Sequence, residues 1–289
     1  KYLRAPDIFF TILEKGKGKL VRLGDIAEVR RGFTTGANEF FYLEPTGKPA
    51  PAGYIHVRNG AGWEGELEEE FLQPVIKSPR ECRTIVIKPE DLRYKIFLCH
   101  KDKSDLKGTA ALEYIKWGES QKFHLRPSCR GRQRWWDLGK RRAPEIVSPS
   151  STNDLYRAFT NSAKVLIDKR LYEVFVEKQN VESLATSMNS TITTLFLELG
   201  SRTGLGEGLL DLTVYEVAAC SVVNPTLLKR SPLFARPILD IDHELLQPDR
   251  RALDDVVFEV LGLTAGEREA VYEAVVALVR ARLEKARSV

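Results

Sequence analysis

The chain is 289 residues long, 43% hydrophobic and 29% charged, with 44 Lys and Arg against 40 Asp and Glu for a net charge of +4. These proportions exclude a disordered polyelectrolyte, and no apolar run approaches the roughly 18 residues that spanning a membrane requires. The length exceeds that of one compact core and predicts two subdomains.

The first residue is Lys1, the only methionine is Met188 and no secretory signal opens the chain, so it reads as a segment of a longer polypeptide. Cys82, Cys99, Cys129 and Cys220 form no CxxC pair, and the four histidines complete no ligand set. The expectation is therefore no metal site, no disulfide framework and a cytoplasmic location.

In chain order, residues 1–19 combine a short apolar element, Ile8 to Leu13, with the tract KGKGK, and read as a linker. From Leu20 to about Leu98 short β-type runs dominate: LVRL, IAEVR, EFFYL, GYIHV, RTIVIK and YKIFL. Among them, RRGFTTGANEFF marks a strand running out into a loop. Gly36 there admits unusual backbone angles, Thr34, Thr35 and Asn38 add short polar side chains, and Arg30 and Arg31 add charge. Such a loop can present amides and hydroxyls to a phosphate, or it can be an ordinary tight turn.

Residues 109–118 predict a short helix. The stretch from Gln121 to Arg142 follows, with eight Lys or Arg against one acid, Asp137, for a local charge of +7 that leaves the remaining residues at −3. Two tryptophans, Trp135 and Trp136, lie among the guanidinium groups. A basic patch with interleaved aromatics suits a polyanion with flat faces. Lys122, Arg126, Lys140, Arg141 and Arg142 read as phosphate contacts. Arg130, Arg132 and Arg134, around Gly131, are candidates for base readout, because a guanidinium fork matches the guanine edge. The alternative is a solvated loop anchored to a core by its tryptophans.

KVLID and YEVFV then predict two strands, residues 181–199 one helix ended by Gly200, and LTVYEV another strand. Gly204-Leu205-Gly206-Glu207-Gly208 has its helix before it and its strand after it, the reverse of a dinucleotide loop, and reads as a turn, with Arg202 beside it placed to touch a nucleic-acid backbone. The last 45 residues predict two helices, the first ended by Gly262 and the second opened by a Thr264–Glu267 capping box. No carboxylate cluster, Ser/His/Asp order or GxSxG stands out. Glu90 with Asp105 is the nearest approach to a nuclease site, and catalytic residues are expected to be none.

Three segments carry a resemblance. KYLRAPDIFF followed by LGDIAEVRRGFTTGANEFFYL, the block MNSTITTLFLELGSRTGLGEGLLDLTVYEVAACSVVNP, and the tail DDVVFEVLGLTAGEREAVYEAVVALVRARLEKARSV together resemble the target-recognition region of TaqI-like adenine-N6 DNA methyltransferases. The resemblance implies an α+β fold: a β-rich DNA target-recognition domain over residues 20–230 with a helical C-terminal subdomain over residues 231–289. It also implies that residues 1–19 link to a methyltransferase domain of the same parent polypeptide, which binds S-adenosylmethionine and flips an adenine. The catalytic Asn/Asp-Pro-Pro-Tyr/Phe motif of that domain has no counterpart here, since Asn224-Pro225 continues with Thr226-Leu227. The expected partner is double-stranded DNA, the expected cofactor of this chain none, and the alternatives a protein-interaction module with a basic face or a restriction-nuclease fragment.

Overall fold

A computed structural model of the chain describes residues 5–203, 208–229 and 232–287. The larger of two main sheets has six strands, in the spatial order Leu166–Ile167, Leu72–Ile76, Tyr94–Phe97, Tyr42–Pro45, Tyr54–Asn59 and Glu64–Glu68. All neighbours are antiparallel except the first pair, where Leu166 lies beside Val75 in parallel. Helix Ala110–Ser120 and the apolar residues of the basic stretch pack with this sheet in one core. Thr109 caps the helix by accepting the Leu112 N–H at 3.1 Å. Glu68, on the edge strand, accepts the Ala110 and Ala111 N–H groups at 2.7 and 3.0 Å, placing a carboxylate at the positive end of the helix.

The second sheet is antiparallel, in the order Phe159–Thr160, Ile146–Pro149, Leu171–Phe175 and Glu28–Arg31. Two small sheets complete the β structure: Leu20–Arg22 with Ser221–Val223, and Ser151–Thr152 with Leu210–Asp211 and Arg202–Thr203. At the helical end, Pro248–Leu261 and Ala265–Arg287 bury an apolar face that includes Val257, Val271 and Val275. Gly262 ends the first of these helices at φ +70°, and the Thr264–Glu267 capping box opens the second.

Several expectations change on contact with tertiary structure. Residues 7–15, expected to be linker, form helix Asp7–Lys15, whose Ile8, Phe9 and Ile12 are buried in the C-terminal helical core; Lys15 pairs with Glu267 at 2.6 Å. That core also takes Ile192, Leu195 and Leu199 from helix Thr191–Gly200, so it is not confined to residues 231–289. EFFYL opens as a helical turn, Asn38–Phe41, before its strand, and this turn seats Phe40 and Phe41, both fully buried, in the core of the large sheet. RTIVIK forms only an isolated bridge, Val86 to Thr160. The acidic runs GELEEEFLQPVI, passed over in sequence, supply two strands of the large sheet.

Helix 181–199 is two helices, Val181–Met188 and Thr191–Gly200. Between them Asn189 donates to the carbonyls of Ala158 and Ala185, and Ser190 caps the second helix. LTVYEV, expected as a strand, becomes helix Val214–Ala219. The Thr213–Glu216 capping box nucleates it, and Tyr215 is left 85% exposed, as one side of a helix allows.

The helical end is held to the rest by buried charge. Asp254, fully buried, accepts from the Thr191 N–H and hydroxyl at 2.6 Å each and from Arg250 Nε at 3.2 Å. Arg250 is itself 1% exposed, and its other donor reaches Thr191 Oγ1 at 2.9 Å. Removing the carboxylate strands a buried guanidinium, so Asp254→Ala is expected to cost about 3–5 kcal/mol of stability, read as a shifted urea midpoint at unchanged slope. A decrease within about 0.5 kcal/mol, the range of ordinary surface substitutions, would contradict this role.

Candidate nucleic-acid interface

The two segments singled out in the sequence, residues 30–41 and 121–142, meet in space. Strand Glu28–Arg31 runs out at Gly32, where an added Cβ would come within 2.4 Å of the Asp168 carbonyl oxygen. Gly36 sits at φ +78°, and a Cβ there would lie 2.5 Å from Ser128 Cβ. Only glycine satisfies both the angle and the approach. Along this loop Phe33, Thr35 and Ala37 are buried, while Thr34 and Asn38 are exposed. The Thr35 hydroxyl donates to the Asn38 side-chain oxygen, which orients the asparagine at the start of the helical turn.

Arg132 fastens the loop to the basic stretch. Its guanidinium donates to the carbonyls of Thr34 at 3.1 Å, Thr35 at 2.7 Å and Trp135 at 3.1 Å. A fixed fork of donors is what three converging carbonyls need, and a lysine could not reproduce it. Arg126 adds a second tie through Glu39, at 2.7 Å and 87 residues away in sequence, and rests over the Phe123 ring at 4.6 Å. Arg126 in turn holds the Glu39 carboxyl below the usual carboxylate range.

Trp135 and Trp136 are 7% and 6% exposed and belong to the core of the large sheet. Trp135 packs on Phe40 at 4.7 Å and donates its indole N–H to Glu119 at 3.0 Å. Gly118 lets them approach, since a Cβ there would meet Phe40 and Trp135 at 2.6 and 2.7 Å. These rings anchor the stretch.

Sequence reasoning treated Arg130, Arg132 and Arg134 alike; the structure separates them. Arg132 is bonded to carbonyls, and Arg134 is forked onto Asp137 at 2.7 Å and reaches Asp102 at 3.0 Å. Burial pushes the Asp137 carboxyl up, but Arg134, the Gly139 N–H and His100 outweigh it and hold the group below its ordinary range. Arg130, at the end of the short helix Pro127–Arg130, is exposed. Lys122, in a left-handed conformation at φ 62°, and Lys140 are exposed as well. None of these three has a carboxylate within 4.0 Å among the described residues. Of the same stretch, Ser128 touches the loop at Gly36 and Arg132 at Thr34 and Thr35.

Arg30 and Arg142 meet at Phe175 of the second sheet, lying over its ring at 4.2 and 5.0 Å, and Arg141 lies over Phe33 at 5.9 Å. Arg30 is 3.3 Å from Glu173, and Arg142 is 2.5 Å from Glu145. Arg31 donates to the Lys169 carbonyl at 3.1 Å. Arg202 stands in the small three-stranded sheet, 77% exposed and 3.4 Å from Glu216. Gly204 to Glu207 lie outside the described residues. Asn224 accepts from the Thr226 N–H at 3.1 Å as the cap of a short turn. Among the described residues no group of three or more His, Cys, Asp or Glu is placed to hold a metal, and no helix is long and apolar enough to cross a membrane.

Residues 65–254 match the family model of the Type II methyltransferase M.Eco57I, C-terminal domain. No curated protein matches in sequence. Among solved structures, the fold is similar to that of the type IIG restriction endonuclease BpuSI, with a TM-score of 0.57 and 16% identity over 97% of this chain and 34% of that one. The Type IIL restriction-modification enzyme MmeI, solved in complex with DNA, aligns with a TM-score of 0.47 and 13% identity over 93% of this chain and 36% of that one. The chain thus spans about a third of the length of these two structures.

Arg132→Ala is expected to raise amide hydrogen exchange across residues 34–38 by an order of magnitude or more, whereas Arg130→Ala leaves it unchanged; equal rates in the two variants would remove the clamp. Glu173, with its side chain 3% exposed, is pushed up by burial against the opposing pull of Arg30 and Arg141. A raised carboxyl stabilises the fold only while protonated. Glu173→Gln is therefore expected to melt higher than the parent at pH 7–8, with the gap closing as pH falls below the ordinary carboxylate range. A gap that widens in acid would reverse the assignment.

Proposed function

The chain belongs to the family of the Type II methyltransferase M.Eco57I C-terminal domain, and from that membership we propose that it recognises double-stranded DNA for an adenine-N6 methyltransferase of a restriction-modification system. The observation that carries this reading is the meeting of the 34–38 loop with the 121–142 stretch, tied by Arg132 and Arg126. The loop exposes Thr34 and Asn38, and the stretch joined to it exposes Lys122, Arg130 and Lys140, none of which has a carboxylate within 4.0 Å among the described residues.

The division of labour follows from commitment. A guanidinium already bonded to three carbonyls is a positioning group, so Arg132 sets the loop, and Arg134 sets the segment between Asp102 and Asp137. Arg130, Thr34 and Asn38 are the base-reading candidates, and Lys122 and Lys140 the phosphate-binding groups that give affinity and register. Arg31 and Arg141 add field along the neighbouring surface, while Arg30, Arg126 and Arg142 are paired with carboxylates and serve to position it. By the resemblance, we assign methyl transfer and S-adenosylmethionine binding to the parent enzyme, because the Asn/Asp-Pro-Pro-Tyr/Phe motif has no match in this sequence.

The test is a fluorescence-anisotropy titration of duplex DNA across a salt series. Lys122→Ala with Lys140→Ala is expected to weaken binding to every duplex and to flatten the log–log salt slope by about one unit for each phosphate left without its lysine. In the parent enzyme, Arg130→Ala is expected to relax discrimination at one base pair by about 1–3 kcal/mol, read by mapping methylated adenines. An unchanged slope would remove the phosphate assignment. Binding that no unrelated duplex competes for, and that salt scarcely affects, would favour an acidic protein partner instead.

A further inference from the structure

Lys164 and Lys178, neither of them singled out above as a candidate site residue, line one cleft together with Arg141 and Arg142. The cleft holds about 900 Å³, far more than a lone ion needs and within the range of sites that take a nucleotide-sized group. Its lining mixes the four cations with apolar Leu166 and Val181.

The cleft is built rather than incidental. Asn161, 4% exposed, donates from its side chain to the carbonyls of Pro144 and Val165 at 2.8 Å each, and its side-chain oxygen accepts the Val165 N–H at 2.9 Å. Its own backbone N–H donates to the Glu145 carbonyl at 2.9 Å. One residue thus fixes the spacing between the segment carrying Arg141 and Arg142 and the turn carrying Lys164. That turn puts Lys164 at φ 53°, a left-handed angle that a lysine adopts only when its surroundings impose it.

The charges are uneven. Two carboxylates line the cleft, and one of them, Glu145, is engaged by Arg142 at 2.5 Å and by the Val176 N–H at 3.3 Å. Arg141, Lys164 and Lys178 have no carboxylate within 4.0 Å among the described residues. Four cations against two carboxylates, Glu145 and Glu182, leave the lining net positive, and positive charge gathered in a cleft focuses potential on an anion. Arg141 and Arg142 are also the last residues of the basic stretch, next in sequence to Lys140.

We propose that this cleft is a second DNA-backbone site, in which Lys164 and Lys178 hold phosphates of the duplex flanking the sequence read at the 34–38 loop. The proposal rests on the DNA-recognition reading above. It extends the footprint without adding sequence information, because phosphates are the same at every base pair.

The experiment compares the full chain with a Lys164→Gln/Lys178→Gln variant on duplexes of about 12 and about 30 base pairs, in salt series. Both side chains are exposed, so the fold should be retained, which melting curves check. Ser162→Glu, an exposed change at the rim, provides a second variant that repels phosphate without removing a lysine. On the long duplex both variants are expected to bind at least 5-fold more weakly, and the lysine variant to flatten the salt slope by about two units, one per phosphate. Base preference is expected to stay as it was. Weaker binding of the long duplex with the short one unaffected supports the proposal. Unchanged slope and affinity in both variants, with the parent chain still binding duplex, would overturn the cleft site alone. A parent chain that binds no duplex would overturn the DNA-recognition reading. Saturable binding of dAMP at the cleft, abolished by the lysine changes and indifferent to duplex, would assign the site to a free nucleotide and overturn the backbone proposal.

Discussion

The candidate DNA surface depends on one guanidinium. Arg132 gathers the carbonyls of Thr34, Thr35 and Trp135, so that a loop emerging from one sheet is fastened to a stretch anchored in the core of another. Backbone carbonyls of an irregular loop need partners when water is excluded, and here a side chain supplies them in place of a strand. Gly36 completes the junction by admitting a positive φ in contact with Ser128. Without that junction, Thr34 and Asn38 would keep only peripheral ties to the basic stretch, such as the Arg126–Glu39 pair.

The concentrated charge works differently from its appearance in sequence. Of the eight cations between residues 121 and 142, Arg126, Arg134 and Arg142 pair with Glu39, Asp102 and Asp137, and Glu145. All but Asp137 of these acids come from outside the stretch. Such partially exposed pairs contribute little stability one by one. Their effect is geometric: they orient long side chains that would otherwise wander, and leave Lys122, Arg130, Lys140 and Arg141 to carry the outward field.

Parts of this are legible in the sequence, and the rest is not, for identifiable reasons. The Gly262 end and Thr264–Glu267 start of the last two helices were readable because capping is local chemistry. The TTGAN loop and the basic stretch were readable as separate candidates because glycine, short polar side chains and clustered cations have local meaning. Their meeting was not, because the Arg126–Glu39 tie joins residues 87 apart and no periodicity encodes it. LTVYEV misled because β-branched residues favour a strand, whereas a capping box and a single buried Val217 favour a helix. Arg132 misled most: a glycine-broken arginine loop looks outward in sequence, and only the converging carbonyls reveal it turned inward.

The most direct test of the account is photo-crosslinking of the full chain to a duplex carrying bromodeoxyuridine, with crosslinked peptides identified by mass spectrometry. The account predicts adducts in residues 34–38 and in the peptide containing Arg130, and none on the buried Trp135 and Trp136. Crosslinks confined to the helical end, with none to either of the two joined segments, would contradict it.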